Sequence, residues 1–248
     1  VIVLLPPSET KQAGGDGPPL HLDALSFPAL HRVRAALVDE LVRLAADPPV
    51  CRHALGISAS QDHEIERNAS LKESPTLPAI NRYTGVLYDA LDIKSLSGAT
   101  LSRAHARLGV GSALFGIVRA DDPIPAYRLS ASSKLPRQPT LAARWRPALE
   151  PVLVEIATED LVVDLRSGSY AALGRVPGAV RVDVVADRGD GHRTVVSHFN
   201  KAHKGRLARA LVSSRAEPDD AAKVAAIARR AGMRVERQGN ELTVVVDA

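Results

Sequence analysis

The chain has 248 residues, 45% of them hydrophobic and 24% charged, which excludes a disordered or fibrous protein and leaves room for a full buried core. A net charge of +4 and a pI of about 9.4 suit anionic partners without proving any. One cysteine, Cys51, excludes an internal disulfide and a cysteine-built zinc site, and no apolar run approaches bilayer length.

Val1–Leu5 is a short run of branched aliphatic residues stopped by Pro6-Pro7, which reads as a buried strand. It is too short for a secretory signal and lacks a basic flank, so the expected location is the cytoplasm, with no membrane contact. Ser8–Lys11 leaves the strand as a polar loop, and residues 13–20 are rich in glycine and proline. Ser26-Phe27-Pro28 opens a helix with Leu30, Val33, Leu37 and Leu41 on one face, and Asp47-Pro48-Pro49 stops it. Leu55-Gly56-Ile57-Ser58 followed by a polar helix fits a helix-hairpin-helix over residues 30–72, in which Gly56 lets main-chain amides approach a phosphate. A plain helical corner has the same pattern, and Asp62, Glu64 and Glu66 would repel phosphates.

Residues 75–78 read as a linker and 94–97 as a short strand. Gly109-Val110-Gly111 should break a helix, with an apolar helix or turn from Ser112 to Val118. Thr140–Ala157 is helical in spacing, and Pro147 and Pro151 predict a kink or break. Its Trp145 is expected as a core anchor. Leu161–Leu165 is a strand leading into Arg166–Tyr170, a small-residue turn suited to an anion at a helix start. Val180–Asp187 and Thr194–Phe199 are strands joined by a hairpin at Arg188–Gly191. Asp219-Asp220 caps a helix to Ala231, and two last strands turn at Gly239-Asn240.

The most distinctive stretch is His198–Arg209, with four cations, two histidines and no carboxylate. It lies between a strand and a helix. In an open α/β sheet, ligands gather beyond the carboxyl ends of parallel strands. Parallel strands would therefore bring Lys11, Arg166, Ser167, Tyr170, Asn200, Lys201 and Lys204 to one cleft. No Walker loop, dinucleotide fingerprint or nucleophile elbow is present. Asp62-His63-Glu64 scatters around a helix axis, and the histidines at 21, 53, 63, 198 and 203 have no metal-ligand spacing. Neither a metal nor a cofactor is expected.

Six segments in this order, Pro6–Lys11, Tyr83–Gly85, Ser112–Gly116 with Arg119, Tyr127–Leu129, Asp164–Tyr170 and Phe199–Arg206, resemble the YaaA family of peroxide stress response proteins in its actinobacterial form. The resemblance runs from residue 1 to about 212. It implies one α/β domain over residues 1–248, a mixed sheet flanked by helices, with a helix-hairpin-helix and a basic cleft. DNA binding, protection against hydrogen peroxide and a lowered level of free iron are also implied. Ala120 departs from the family, where a proline often follows the arginine.

Two functional readings follow. In the first, a DNA-binding stress protein holds phosphates or another anion with Ser8, Thr10, Lys11, Gly56, Arg82, Tyr83, Arg119, Tyr127, Arg128, Lys134, Arg166, Ser167, Tyr170, Asn200, Lys201, Lys204 and Arg206. In the second, an enzyme acts on a small anionic or nucleotide-like substrate in the same cleft. There Lys11 or Lys201 is base or nucleophile, His198 or His203 transfers protons, and Asp164 and Tyr170 orient them.

Overall fold

The structure is a computed structural model that describes residues 1–187, 193–195 and 197–247, with side chains described except at 193–195 and 197–199. In chain order the elements are β1 (Ile2–Leu5), β2 (Gly17–Pro19), α1 (His31–Leu44), α2 (Pro48–Leu55), α3 (His63–Ala69), β3 (Pro75–Pro78), α4 (Ala79–Arg82), α5 (Val86–Leu91) and α6 (Gly98–Arg107). Then come β4 (Leu108–Ser112), β5 (Gly116–Arg119), β6 (Pro123–Ile124), α7 (Leu141–Glu159), β7 (Val162–Asp164) and α8 (Gly168–Ala171). The last are β8 (Val180–Asp187), β9 (Arg193–Val195), α9 (Ser197–Ser213), α10 (Ala221–Arg230), β10 (Arg234–Gln238) and β11 (Glu241–Asp247).

The main sheet has the order β10-β11-β8-β7-β1-β4-β5, and β9 adds to β8. From β4 through β1, β7 and β8 to β11 every pairing is parallel, while the outer strands β5 and β10 are antiparallel. β1 lies between β4 and β7, and its residues Val3, Leu4 and Leu5 are fully buried, which explains why it is apolar without alternation. β7 pairs with β8 only at Val180 and Arg181. The far edge of β8, Val185–Asp187, is therefore open to β9.

Several local expectations are corrected. Helix α6 ends at Arg107, before Gly109 as expected, but the residues that follow form strands β4 and β5 joined by a turn at 113–115 rather than an apolar helix. The glycines serve close approach: a Cβ on Gly109 would meet the Leu4 side chain at 3.2 Å, and one on Gly111 would meet Arg166 at 3.0 Å. Residues 75–78 are strand β3, in a small sheet with β2 and β6, and residues 93–95 are a 3-10 turn. Helix α7 runs unbroken because Pro147 and Pro151, one turn apart, both face solvent, where water takes the carbonyls they free. Trp145 anchors α7 in the core, its indole N–H donating to the Ala113 carbonyl at 2.8 Å. Phe199 is helical, since β9 ends at Val195 and α9 already begins at Ser197. The hairpin turn expected at Arg188–Gly191 lies outside the described residues.

The helix-hairpin-helix expectation is replaced by a capped helical corner. Gly56 takes the left-handed conformation that ends α2, and its N–H and that of Ile57 both donate to the Arg52 carbonyl. The Ser58 N–H donates to Gln61 Oε1 at 3.2 Å, in a capping box. The amides of Gly56, Ile57 and Ser58 in this turn already have partners. Arg52 also pairs with Asp62 across the corner at 2.6 Å.

Helices α5 and α9 pack through Gly205, where an added Cβ would lie 2.2 Å from the Leu87 carbonyl and 2.9 Å from Ala90 Cβ. Gly205→Ala should therefore destabilise the protein by about 1–3 kcal/mol, read as a lower urea midpoint. An unchanged midpoint would show that this helix pair separates without cost.

Candidate functional site

β1, β4 and β7 run parallel, so the loops after them leave the sheet at one end. These are Ser8–Lys11, Ala113–Phe115 and Leu165–Ser167. The third expected loop is not a loop: residues 198–206 lie within α9. Lys204 still reaches this end of the sheet, with its ammonium donating to the Leu165 carbonyl at 3.1 Å. Burial lowers the Lys204 pKa, against the pull of Asp183 and Asp164.

Lys11 is the centre of the site. Its ammonium donates to the carbonyls of Ser8 at 3.0 Å and Glu9 at 3.3 Å, and lies 4.3 Å from the centre of the Tyr127 ring. The carbonyls and the ring favour the charged form. Desolvation opposes it and dominates, lowering the pKa from 10.5 to about 7. Glu64 offsets part of that, while Arg128 and Arg67 add to it. Glu64 and Arg67 stand on α3, which sets this helix beside the lysine, and they pair with each other at 2.8 Å.

All four tyrosines of the chain gather here. The hydroxyls of Tyr83 and Tyr127 are 2.8 Å apart, and Ser112 Oγ is 2.7 Å from Tyr127. The Phe115 N–H holds Ser112 Oγ at 2.9 Å, fixing the end of this hydroxyl chain. The Tyr88 ring stacks on that of Tyr83, and its hydroxyl donates to the Pro6 carbonyl at 2.9 Å. Burial raises the pKa of each, that of Tyr170 to about 12, so all four remain neutral donors at physiological pH. Ser8 and Thr10 join the rim, with hydroxyls 3.1 Å apart.

The other expected contacts divide between the interior and the surface. Arg82 is fully buried, with its guanidinium donating to Ile124 at 3.1 Å, Gly14 at 2.8 Å, Pro75 at 3.1 Å and Gln12, all through carbonyls. It cannot meet a phosphate. Arg166 is buried in a two-pronged pair with Asp164 and donates to Gly174 O at 3.0 Å. Arg128 pairs with Glu9 at 3.0 Å. Arg119 lies at the opposite end of the sheet, since its partner across β4 is Gly109. Ser167 is exposed on the rim. Asn200 Oδ1 is buried and has no hydrogen-bond partner among the described residues. Lys134, Lys201 and Arg206 are exposed, and the His198 side chain lies outside the described residues. The cations at this end thus face carboxylates and carbonyls, and the expected basic cleft does not take shape around Lys11. Among the described residues no three His, Cys, Asp or Glu side chains group as metal ligands.

Sequence reasoning missed Ser112, Glu64 and Asn68. Ser112 carried a signal in the segment Ser112–Gly116. Asn68 carried none, although its amide holds the Arg128 main chain through two bonds of 2.8 Å.

The family model for peroxide stress protein YaaA matches residues 1–238. The chain belongs to this family. A UPF0246 protein of Corynebacterium efficiens is 49% identical, over 99% of this chain and all of its own length. A UPF0246 protein of Streptomyces coelicolor is 44% identical, over 96% of this chain and 93% of its own length. Of the segments that resemble the YaaA family, Pro6–Lys11, Tyr83–Gly85, Ser112–Gly116, Tyr127–Leu129 and Asp164–Tyr170 all contribute to the Lys11 site or its rim. In this YaaA-family chain those five segments are therefore gathered around one buried-edge lysine.

The Lys11 pKa has a signed consequence. Between pH 7 and 10.5 the unfolded chain holds a proton that the folded protein lacks, so stability rises with pH across that window. Below pH 7 the cost of burying the ammonium is present in full. Relative to Lys11→Met, the wild-type protein should gain stability from pH 7 to pH 9, as urea midpoints at the two values would show. A parallel pH dependence in both proteins would contradict the assignment.

Proposed function

We propose that this chain acts in peroxide defence through a small-molecule site at Lys11, rather than by clamping duplex DNA in a basic cleft. What supports this reading is the enclosed Lys11 ammonium, with a pKa of about 7, at the carboxyl ends of the parallel strands beside four neutral tyrosines. Burial lowers the Lys11 pKa toward neutrality, which suits a base or a nucleophile in a small-molecule site. The Tyr83–Tyr127–Ser112 hydroxyls supply donors for an anionic or nucleotide-like substrate. Asp164 positions Arg166, and Arg166 in turn positions the loop after β7. No direct iron site enters this reading.

The nucleic-acid reading keeps one observation in its favour. Lys134, Lys201 and Arg206 are exposed cations without an internal partner among the described residues. Three phosphate contacts give a log–log salt slope of about −3, a loss of roughly 40-fold in affinity between 50 and 200 mM salt. Engagement of Lys11, Arg82, Arg128 and Lys204 as well would give a slope of about −6.

In cells lacking their own family member, Lys11→Met should lower survival of a hydrogen peroxide challenge at least tenfold. A Lys134→Ala, Lys201→Ala double variant should survive like wild type. The reverse pattern, with a duplex salt slope near −6, would overturn the small-molecule reading and restore the DNA one.

A further inference from the structure

A second concave surface lies away from Lys11. It is a groove of about 610 Å³ between α9, the turn after α10 and strand β11. That volume matches a small organic ligand. Val244 and Val246, two apart on β11 and so on one face, supply an apolar floor, and Met233 and Ala210 flank it.

The charged groups facing the groove come from each of its walls. On α9 they are His203, Arg206 and Arg209, on β10 Arg234 and on β11 Asp247. Arg209 is committed to the Leu91 and Asp92 carbonyls, each at 2.8 Å, and to Ser95 Oγ. Arg234 pairs with Asp187 at 2.8 Å and approaches Asp247 at 3.6 Å. Among the described residues, Asp247 is the one carboxylate in the lining, and it lies at the exposed end next to Arg234. Among the described residues, Arg206 and His203 have no such partners. They stand three residues apart on one helical face, a spacing that places their Cβ atoms about 5–6 Å apart.

We propose that this groove binds a small phosphomonoester, its phosphate bridging His203 and Arg206 and its less polar part lying on Val244 and Val246. A phosphate has enough acceptor oxygens to take the Arg206 fork and the imidazole together. An apolar floor without hydrogen-bonding side chains suits the planar or aliphatic body of such a molecule, and free phosphate would leave it uncovered. Desolvation and the Arg206 charge lower the His203 pKa, and a phosphate between the two would reverse that direction.

The test is an NMR titration of the full chain, with the His203 imidazole signal identified from its loss in His203→Gln. Adenosine 5′-monophosphate, inorganic phosphate and adenosine serve as probes at physiological salt. The monophosphate should move the His203 signal and raise its titration midpoint, with inorganic phosphate weaker and adenosine weaker still. Arg206→Ala should weaken monophosphate binding at least tenfold, and Arg206→Lys less. Because Arg206 is exposed, both variants should keep the wild-type urea midpoint. A His203 signal unmoved by millimolar monophosphate overturns the proposal. So does equal binding in Arg206→Ala, equal binding of free phosphate and monophosphate, or a short DNA duplex that binds the groove more tightly than the monophosphate.

Discussion

Buried cations bonded to main-chain carbonyls hold this protein together. Arg34 is fully buried and donates to the carbonyls of Ser26, Phe115 and Ile117. Arg82 joins residues 12–14 to β3 and β6, and Arg107 ties the end of α6 to the carbonyls of Leu211, Ser214 and Ala216. A guanidinium offers five donors in a fixed fork, so one side chain satisfies several carbonyls that no strand or helix serves. Removing such a group would leave those acceptors buried and unpaired. Desolvation lowers the pKa of Arg34 and of Arg82 to about 10, and both remain charged at neutral pH.

This arrangement changes the meaning of the chain's basic composition. Part of the positive charge that suggests a nucleic-acid surface faces inward, in Arg34, Arg82, Arg107, Arg166 and Lys204. Around Lys11 the remaining cations face Glu9, Glu64 and Asp164. The site is consequently mixed in charge and closely hydrogen-bonded, as suits chemistry on a small molecule better than contact with a long polyanion. The family-like segments from five separate parts of the chain meet around this lysine.

The parts of the fold that were legible are those in which local chemistry and tertiary packing agree. β1 and β7 read correctly because buried parallel strands are apolar runs, and β8 because it alternates, burying every second residue. α10 read correctly because Asp220 caps it, accepting from the Lys223 N–H at 2.7 Å. The misread parts share one cause, which is that the decisive neighbour is distant in sequence. Gly109 and Gly111 follow the end of α6 and look only like helix breakers until Leu4 and Arg166 are seen to pass over them. Pro147 and Pro151 look like a break until the other face of α7 buries Trp145, Leu149 and Leu153. The turn at Gly56 has the residues of a phosphate cradle, and only its local hydrogen bonds show that the amides are occupied.

By itself the sequence determined an α/β protein, its strong strands, its family and most of the residues that line the Lys11 site. Its motifs sit on short loops after apolar strands, and such loops carry their signature in residue type. Only the tertiary structure decided which cations remain available. Arg82, Arg128, Arg206 and Lys204 are equivalent as letters. Burial against carbonyls, pairing with a carboxylate or exposure on a helix face makes them different groups. The same burial, with no carboxylate bonded to the ammonium, turns Lys11 from an ordinary cation into an amine that titrates near neutrality.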